Sequence, residues 1–143
     1  PPVLDLGLQA AIEWQAENFQ ERSGITCNVT ARAHDLALDI RRSTAVFRVF
    51  QEVLTNVARH AEATRVDVSL QETEGELTVE IRDNGIGIDL DRDASGSAMG
   101  IIGMEEKAHM LGGHLTIGPS PEKGTRIVLR IPIRIPQSAN ALV

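Results

Sequence analysis

Three polar side chains follow one another at four-residue steps within residues 50–61. Glu52 carries a carboxylate, Asn56 an amide and His60 an imidazole. A helix has about 3.6 residues per turn, so this spacing keeps the three groups along one slowly drifting edge. These groups can accept and donate hydrogen bonds and exchange protons. The row is therefore either the solvated face of a helix or one wall of a site.

A second candidate begins where a predicted strand runs out into a long loop, at Asp83-Asn84-Gly85-Ile86-Gly87. Gly85 and Gly87 allow the backbone to take positive φ and to approach a ligand closely. Asp83 offers an acceptor for an exocyclic amine such as that of adenine. An acidic hairpin turn is the competing interpretation, because Asp-Asn-Gly is common turn chemistry.

Two later stretches could also contact a ligand. Gly100 and Gly103 end the loop and open a predicted helix, whose exposed first-turn N–H groups would suit phosphate oxygens. Thr125 follows Gly124 at a strand start, and its hydroxyl could bond a base directly or through water. Each stretch also has an ordinary structural explanation. Gly100 and Gly103 could simply cap a helix, and Thr125 could be an ordinary strand residue.

Two familiar glycine motifs are excluded. A dinucleotide fingerprint would need a third glycine at position 90, which is leucine. A P-loop would need Gly-Lys-Ser/Thr, whereas the chain has Lys123-Gly124-Thr125 in the wrong order.

Hydrophobic periodicity predicts the elements that must position these candidates. Helices are expected over residues 5–23, from the cap candidates Ser43 and Thr44 to about residue 63, and over residues 101–111. Alternating apolar residues predict strands around residues 25–31, 66–70, 77–81, 115–117 and 125–133. Together they predict an α/β (α+β) fold, a two-layer sandwich with one mixed sheet of about five strands and helices on one face.

Composition limits the class of protein. The 143 residues suffice for one domain, which we expect to span residues 1–135 and to be followed by a tail at 136–143. The net charge of −6 argues against nucleic acid and against an anionic membrane surface as partners. Cys27 is the only cysteine and is expected to be a buried strand residue. No apolar run approaches the roughly 20 residues that span a bilayer, so we expect a cytoplasmic domain.

The motifs gain specificity from their order. In chain order, the four motifs resemble the N, G1, G2 and G3 boxes of the ATP-binding (GHKL, Bergerat) fold. They are Glu-x3-Asn-x3-His, Asp-x-Gly-x-Gly, Gly-x-x-Gly and Gly-Thr. Histidine kinases, DNA gyrase, MutL and heat-shock chaperone ATPases share that fold. Residues 54–61 and 112–125 are most similar to two-component sensor histidine kinases, and residues 100–104 look like the nitrate-sensor-like subfamily. The resemblance covers nearly the whole chain.

The resemblance implies roles at the phosphate end of a bound ATP. Asn56 would ligate Mg²⁺ through its amide oxygen, which suits a hard cation. Glu52 would orient a metal-bound water or handle the proton in transfer. Arg59 and His60 stand where the family places groups that contact the phosphates or the lid.

At the base end, the resemblance implies that Asp83 reads the adenine amine and that Thr125 supports it. Gly85 and Gly87 would let the chain pass close to the nucleotide. Residues 89–99 would form a mobile lid over the phosphates, with Gly100 and Gly103 at its hinge.

One position departs from the subfamily, which often has a basic residue directly after Gly-Met. Here Met104 is followed by Glu105, and Lys107 and Lys123 are the candidates to compensate. His34-Asp35 matches the phosphoacceptor pair only superficially, because no room remains for a long helical hairpin around it. The acceptor histidine is therefore expected upstream of Pro1.

These expectations combine into a catalytic domain that binds Mg²⁺-ATP and donates the γ-phosphoryl group to a histidine. That histidine would lie on an upstream dimerisation domain, and a response regulator would receive the phosphoryl group afterwards. Two alternatives stay open. One is an anti-sigma-factor-type serine kinase of the same fold, and the other is a nucleotide-binding scaffold without turnover.

Overall fold

A computed structural model describes residues 7–32, 38–87 and 96–133. The elements are, in chain order, α1 (Leu8–Ser23), β1 (Thr26–Arg32), α2 (Ile40–Asn56), β2 (Arg65–Thr73), β3 (Glu76–Asp83), α3 (Gly96–Met110), β4 (His114–Pro119) and β5 (Thr125–Pro132). A π-helical turn, Val57–Ala61, continues α2. The order of helices and strands is the predicted one. His34, residues 89–95 of the expected lid and the tail at 136–143 lie outside the described ranges.

The strands form one mixed sheet with the order β1-β2-β3-β5-β4. β1 and β2 pair in parallel, and the remaining neighbours pair antiparallel. β2 and β3 are joined by the predicted hairpin turn, in which Glu74 and Gly75 take φ of 51° and 76°. Positive φ at both central residues matches the right-handed twist of the flanking strands. The predicted five-stranded mixed sheet is confirmed.

One face of this sheet forms the core. The apolar residues that alternate along its three central strands are buried, namely Val66, Val68, Leu70, Leu77, Val79, Ile81, Ile127, Leu129 and Ile131. The residues between them lie on the opposite face, where Glu80 pairs with Arg82 and Arg126. α1 packs on β1, α3 packs on β4, and α2 contacts both helices. The predicted two-layer sandwich is confirmed.

The first helix and strand follow the predicted pattern. Leu8, Ile12 and Phe19 are buried along one side of α1, and Gly24 ends the helix with a left-handed φ of 77°. Cys27 is buried in β1, and burial, aided by the charge of Asp67, raises the pKa of its thiol to about 11. A thiol with so high a pKa stays protonated near neutral pH, which agrees with a packing role. Across residues 7–32, 38–87 and 96–133, no helix is long and apolar enough to cross a membrane.

The start of α2 differs from the prediction of Ser43 and Thr44 as its cap. The helix begins at Ile40, and the Asp39 carboxylate accepts the N–H of Arg42 at 2.7 Å. A carboxylate at this position satisfies a free N–H of the first turn as a serine would. Ser43 is instead a buried helical residue. The prediction was wrong because several capping residues occur in succession, and sequence does not choose among them.

The start of α3 also differs from the prediction. α3 begins at Gly96, so Gly100 lies in its second turn and Gly103 further along. The N–H groups that a helix leaves free are those of its first four residues, here residues 96–99. The expectation that Gly100 and Gly103 expose first-turn N–H groups was therefore wrong. Each interior glycine costs a helix about 1 kcal/mol, which the buried packing of Met104 and Ala108 offsets.

Candidate functional site

The candidate site is built on the end of β3. Asp83 is the last residue of that strand and is paired with Val66 of β2. The residue is 7% exposed, and its Oδ1 accepts the N–H of Gly85 at 2.8 Å. The same oxygen is 3.4 Å from the N–H of Thr125, the first residue of β5. The contact with Gly85 is an Asx turn, which fixes the direction in which the chain leaves the strand.

The environment of Asp83 shifts the pKa of its carboxyl group. Removal from water raises the pKa of the Asp83 carboxyl above its ordinary value, and the N–H groups of Gly85 and Thr125 oppose that rise. Burial penalises the charged form, whereas hydrogen bonds to the carboxylate favour it. The site therefore holds an acceptor whose charge is only partly compensated by the protein.

Thr125, whose backbone N–H contacts this carboxylate, also carries a hydroxyl. The residue is 4% exposed, and its Oγ1 is buried with no hydrogen-bond partner in the part of the chain that the structure describes. A buried hydroxyl without a partner costs free energy, so such a group is normally satisfied by a ligand or water. Asp83 and Thr125 thus lie close together, as predicted. The hydroxyl of Thr125 remains available to a ligand.

Gly124 belongs to the Gly-Thr motif, but the sequence analysis gave it no role of its own. Its φ is 96°, and a Cβ built on it would lie 2.1 Å from the backbone oxygen of Asp83 and 2.7 Å from its Oδ1. Only glycine fits this contact, which lets β5 approach the end of β3 closely. The pair Gly124-Thr125 was noted in the sequence as a strand start and as the last of the four ATP-binding motifs, but nothing in the sequence predicted the contact of Gly124 with Asp83.

The two glycines that follow Asp83 do different things. Gly87 has a φ of 87°, as expected for a backbone that needs glycine, and its Cβ position lies 3.6 Å from the oxygen of Gly124. Gly85 is not among the glycines with positive φ. For Gly85 the expectation of positive φ was therefore wrong, and its contribution is the N–H that holds Asp83.

The helix that carries the predicted polar row changes its type part-way along the row. α2 ends at Asn56, and the residues from Val57 to Ala61 form a π-helical turn. The predicted row of Glu52, Asn56 and His60 therefore begins on α2 and runs into this π-helical turn. Such turns are frequent at functional sites. The side chain of His60 lies outside the described part of the structure.

Glu52 lies against α3. Its Oε2 is 3.8 Å from Nζ of Lys107, and both side chains are partly exposed. An ion pair this long and this exposed contributes little to stability. It does bring one of the two compensating lysines beside the carboxylate expected to act in catalysis.

Arg59 takes a different position. It lines an open groove of about 530 Å³ between α1 and α2, together with Arg22, Gln51 and Thr55. The predicted contact of Arg59 with phosphates stays a prediction.

Gly103 lies on α3 where a Cβ would meet no atom within 4 Å. Open space beside a helical glycine leaves room for close approach of a ligand.

Comparison with known proteins identifies the family. Residues 41–135 match the family described as histidine kinase-, DNA gyrase B-, and HSP90-like ATPase. The chain belongs to this ATPase family. Membership in this family confirms the ATP binding that the motifs implied, while binding of Mg²⁺ stays a prediction.

A relative of this ATPase domain supports the resemblance to histidine kinases. The chain is 36% identical over 129 residues to the signal transduction histidine-protein kinase/phosphatase DegS of Brevibacillus brevis, a match that covers 90% of this chain and 33% of DegS. The chain thus spans about a third of that relative's length. The resemblance to sensor histidine kinases is confirmed, and the nitrate-sensor-like subfamily stays a prediction.

Solved structures support the same fold. The Erythrobacter litoralis EL346 blue-light activated histidine kinase superposes with a TM-score of 0.67 at 24% identity, covering 85% of this chain and 44% of that one. The histidine kinase domain from the same protein gives a TM-score of 0.66 at 25% identity, covering 88% and 61%. The ATPase domain therefore has the architecture of histidine kinase ATP-binding domains.

The raised pKa of Asp83 predicts a pH dependence of nucleotide binding. A raised pKa means that the folded chain binds this proton more tightly than the unfolded chain. This group's contribution to stability is thus present at low pH and lost as the pH rises through the folded pKa. Nucleotide binding should have the opposite sign, because only the carboxylate accepts freely from an amine. We expect ATP affinity to fall on acidification through that pKa, as titration calorimetry across a pH series would measure.

Asp83→Asn is the control for this pH series, because it has no titrating group at the position. Its affinity, although weaker, should follow only the protonation of ATP itself. If the two proteins had the same pH profile, Asp83 would not be the titrating group.

Proposed function

We propose that this ATPase domain is the catalytic domain of a sensor histidine kinase. It binds Mg²⁺-ATP and donates the γ-phosphoryl group to a histidine on an upstream dimerisation domain, for relay to a response regulator. The observation that carries the proposal is that Thr125, whose hydroxyl has no partner in the described part of the chain, contacts the Asp83 carboxylate through its backbone N–H at 3.4 Å.

This pair suits the hydrogen-bonding edge of adenine. Adenine presents an amine donor beside a ring-nitrogen acceptor. The carboxylate of Asp83 accepts only, whereas the hydroxyl of Thr125 can donate. Guanine presents a carbonyl acceptor beside a ring N–H donor, so its carbonyl would face the acceptor Asp83. The pair therefore favours adenine over guanine.

Mg²⁺ and the phosphates are assigned to the α2 side. Mg²⁺ keeps several waters and takes few protein ligands beside the phosphates, so one amide oxygen from Asn56 fits its preference. The described residues contain no cluster of three or more His, Cys, Asp or Glu side chains that could hold a metal unaided. This fits a cation held mainly by ATP. When bound, Mg²⁺ supplies charge neutralisation of the phosphates.

The remaining site residues complete the proposed chemistry. The acceptor imidazole forms a nitrogen–phosphorus bond while the bond from phosphorus to the β-phosphate oxygen breaks, and ADP leaves. Glu52 removes the proton displaced from the imidazole, and Nζ of Lys107 lies 3.8 Å from its carboxylate. Arg59 and His60 contact the phosphates. Gly100 and Gly103 allow α3 to move with the lid residues before it.

The setting of this reaction is part of the proposal. The chain acts in the cytoplasm, with residues 1–135 as the catalytic domain and 136–143 as a tail. Its partners are the dimerisation domain and, indirectly, a response regulator. Nucleic acid and direct membrane contact are not expected for a domain of net charge −6.

Thermal unfolding with a non-hydrolysable ATP analogue and Mg²⁺ tests the proposal. A ligand at 100 times its Kd should raise the free energy of unfolding by about 2.7 kcal/mol. The matched guanine analogue should raise it less at the same concentration. No phosphohistidine should appear on the isolated chain with ATP. Absence of any shift with saturating adenine nucleotide would contradict ATP binding, and phosphohistidine on the isolated chain would contradict an upstream acceptor.

A further inference from the structure

The side chain of Asn84 fastens the end of β3 to the start of β2. Its Oδ1 accepts the N–H of Thr64 at 2.9 Å and the N–H of Arg65 at 3.0 Å. Its Nδ2 donates to Thr64 Oγ1 at 2.9 Å. The backbone N–H of Asn84 adds a bond to the Arg65 oxygen at 3.2 Å. Neither the ATPase motif nor the proposed chemistry gives this residue a role.

The fastened segment is the chain that leaves the π-helical turn. Glu62, directly after that turn, has a left-handed φ of 52°. Thr64 follows, and its carbonyl accepts the N–H of Thr26 at the start of β1. Asn84 thus links the residue after Asp83 to the segment that begins where the helix carrying Asn56 has ended.

Only asparagine makes this set of contacts at its size. An amide oxygen accepts two N–H groups while its nitrogen donates to a hydroxyl. Aspartate would accept but could not donate. Asn84 and Thr64 are both exposed, so water can replace each bond when it is lost. Exposed hydrogen bonds contribute modestly to stability, which leaves geometry as their main effect.

We propose that Asn84 is a positioning residue of the nucleotide site. Its side chain fixes the direction in which the chain leaves β3, so that the N–H of Gly85 stays on Oδ1 of Asp83. The carboxylate is then held in the orientation that accepts the adenine amine. This inference rests on the proposed function, because it acts through the adenine contact of Asp83.

Asn84→Ala tests the inference by titration calorimetry at a temperature well below unfolding. We expect adenosine and Mg²⁺-ATP to bind about tenfold more weakly, the size of one hydrogen bond that is lost or misdirected. Asn28→Ala is the matched control, because the Asn28 amide donates to Asp67 Oδ1 at 3.4 Å on an exposed part of the same sheet. That variant should keep the affinity of the unmodified chain.

Two further variants separate positioning from stability. Thr64→Val removes the acceptor of the Nδ2 bond and keeps the N–H of Thr64, so about a two- to threefold loss of affinity is expected. In an Asp83→Asn background, Asn84→Ala should weaken binding by less than about twofold, since residues that act through one another are not additive.

The outcomes distinguish this inference from the proposed function. Failure of the unmodified chain to bind any adenine nucleotide would refute both. Normal binding by the unmodified chain with equal affinity in Asn84→Ala would refute only the positioning role. A tenfold loss that persists undiminished in the Asp83→Asn background would also refute it, because Asn84 would then act independently of Asp83.

Discussion

Replacing Asp83 with asparagine is expected to weaken ATP binding by about 30- to 100-fold, the upper range for a hydrogen bond to a charged group. The amide has nearly the shape of the carboxylate and can still accept the N–H of Gly85 through its oxygen. Its nitrogen, however, is a donor and would face the donor amine of adenine. Titration calorimetry with Mg²⁺-ATP measures the loss directly.

Asp67→Asn is the matched control for this substitution. Asp67 lies on β2, next to the strand that carries Asp83, and its carboxylate contacts Arg65 and Asn28. The same chemical change there should leave ATP affinity within about twofold, because surface substitutions away from a site have small effects. Equal affinities for Asp83→Asn and the unmodified chain would remove the basis for adenine recognition by Asp83.

Replacing Gly124 with alanine is expected to lower the free energy of unfolding by about 2–5 kcal/mol. A non-glycine residue at left-handed φ costs roughly 1–2 kcal/mol, and overpacking a tight contact costs typically 1–3 kcal/mol. The obstructing atom is the backbone oxygen of Asp83, only 2.1 Å from the added Cβ, so no side-chain rotation relieves the clash. Urea unfolding measures the change, and ATP binding should weaken as well because the clash displaces Asp83.

Gly118→Ala controls for the loss of a strand glycine. Gly118 is on β4, where an added Cβ would meet nothing within 4 Å, and its φ is not positive. Alanine there should leave stability unchanged or raise it slightly, because glycine loses more entropy on folding. If Gly124→Ala unfolded at the same urea concentration as Gly118→Ala, the close approach of β5 to β3 would not exist in solution.

The alternation of apolar and polar residues was enough to predict the strands of the hairpin. Val66, Val68 and Leu70 and their counterparts on β3 are apolar at every second position, and a half-buried strand requires that pattern. The hairpin at Glu74-Gly75 was predictable because its turn needs positive φ. The beginnings of α2 and α3 were not predictable, since capping residues and glycines tolerate more than one boundary.

The ordered motifs were enough, from sequence alone, to predict the ATP-binding fold, which is confirmed. They also predicted that Asp83 and Thr125 belong to its site, which stays a prediction. Tertiary structure decided how these residues meet. Gly124 and Asn84 act through contacts with residues distant in sequence, at Asp83 and Thr64 respectively, and no local pattern encodes such contacts. The π-helical turn after Asn56 is likewise not indicated by the sequence, because a four-residue spacing of polar side chains fits an uninterrupted α-helix equally well.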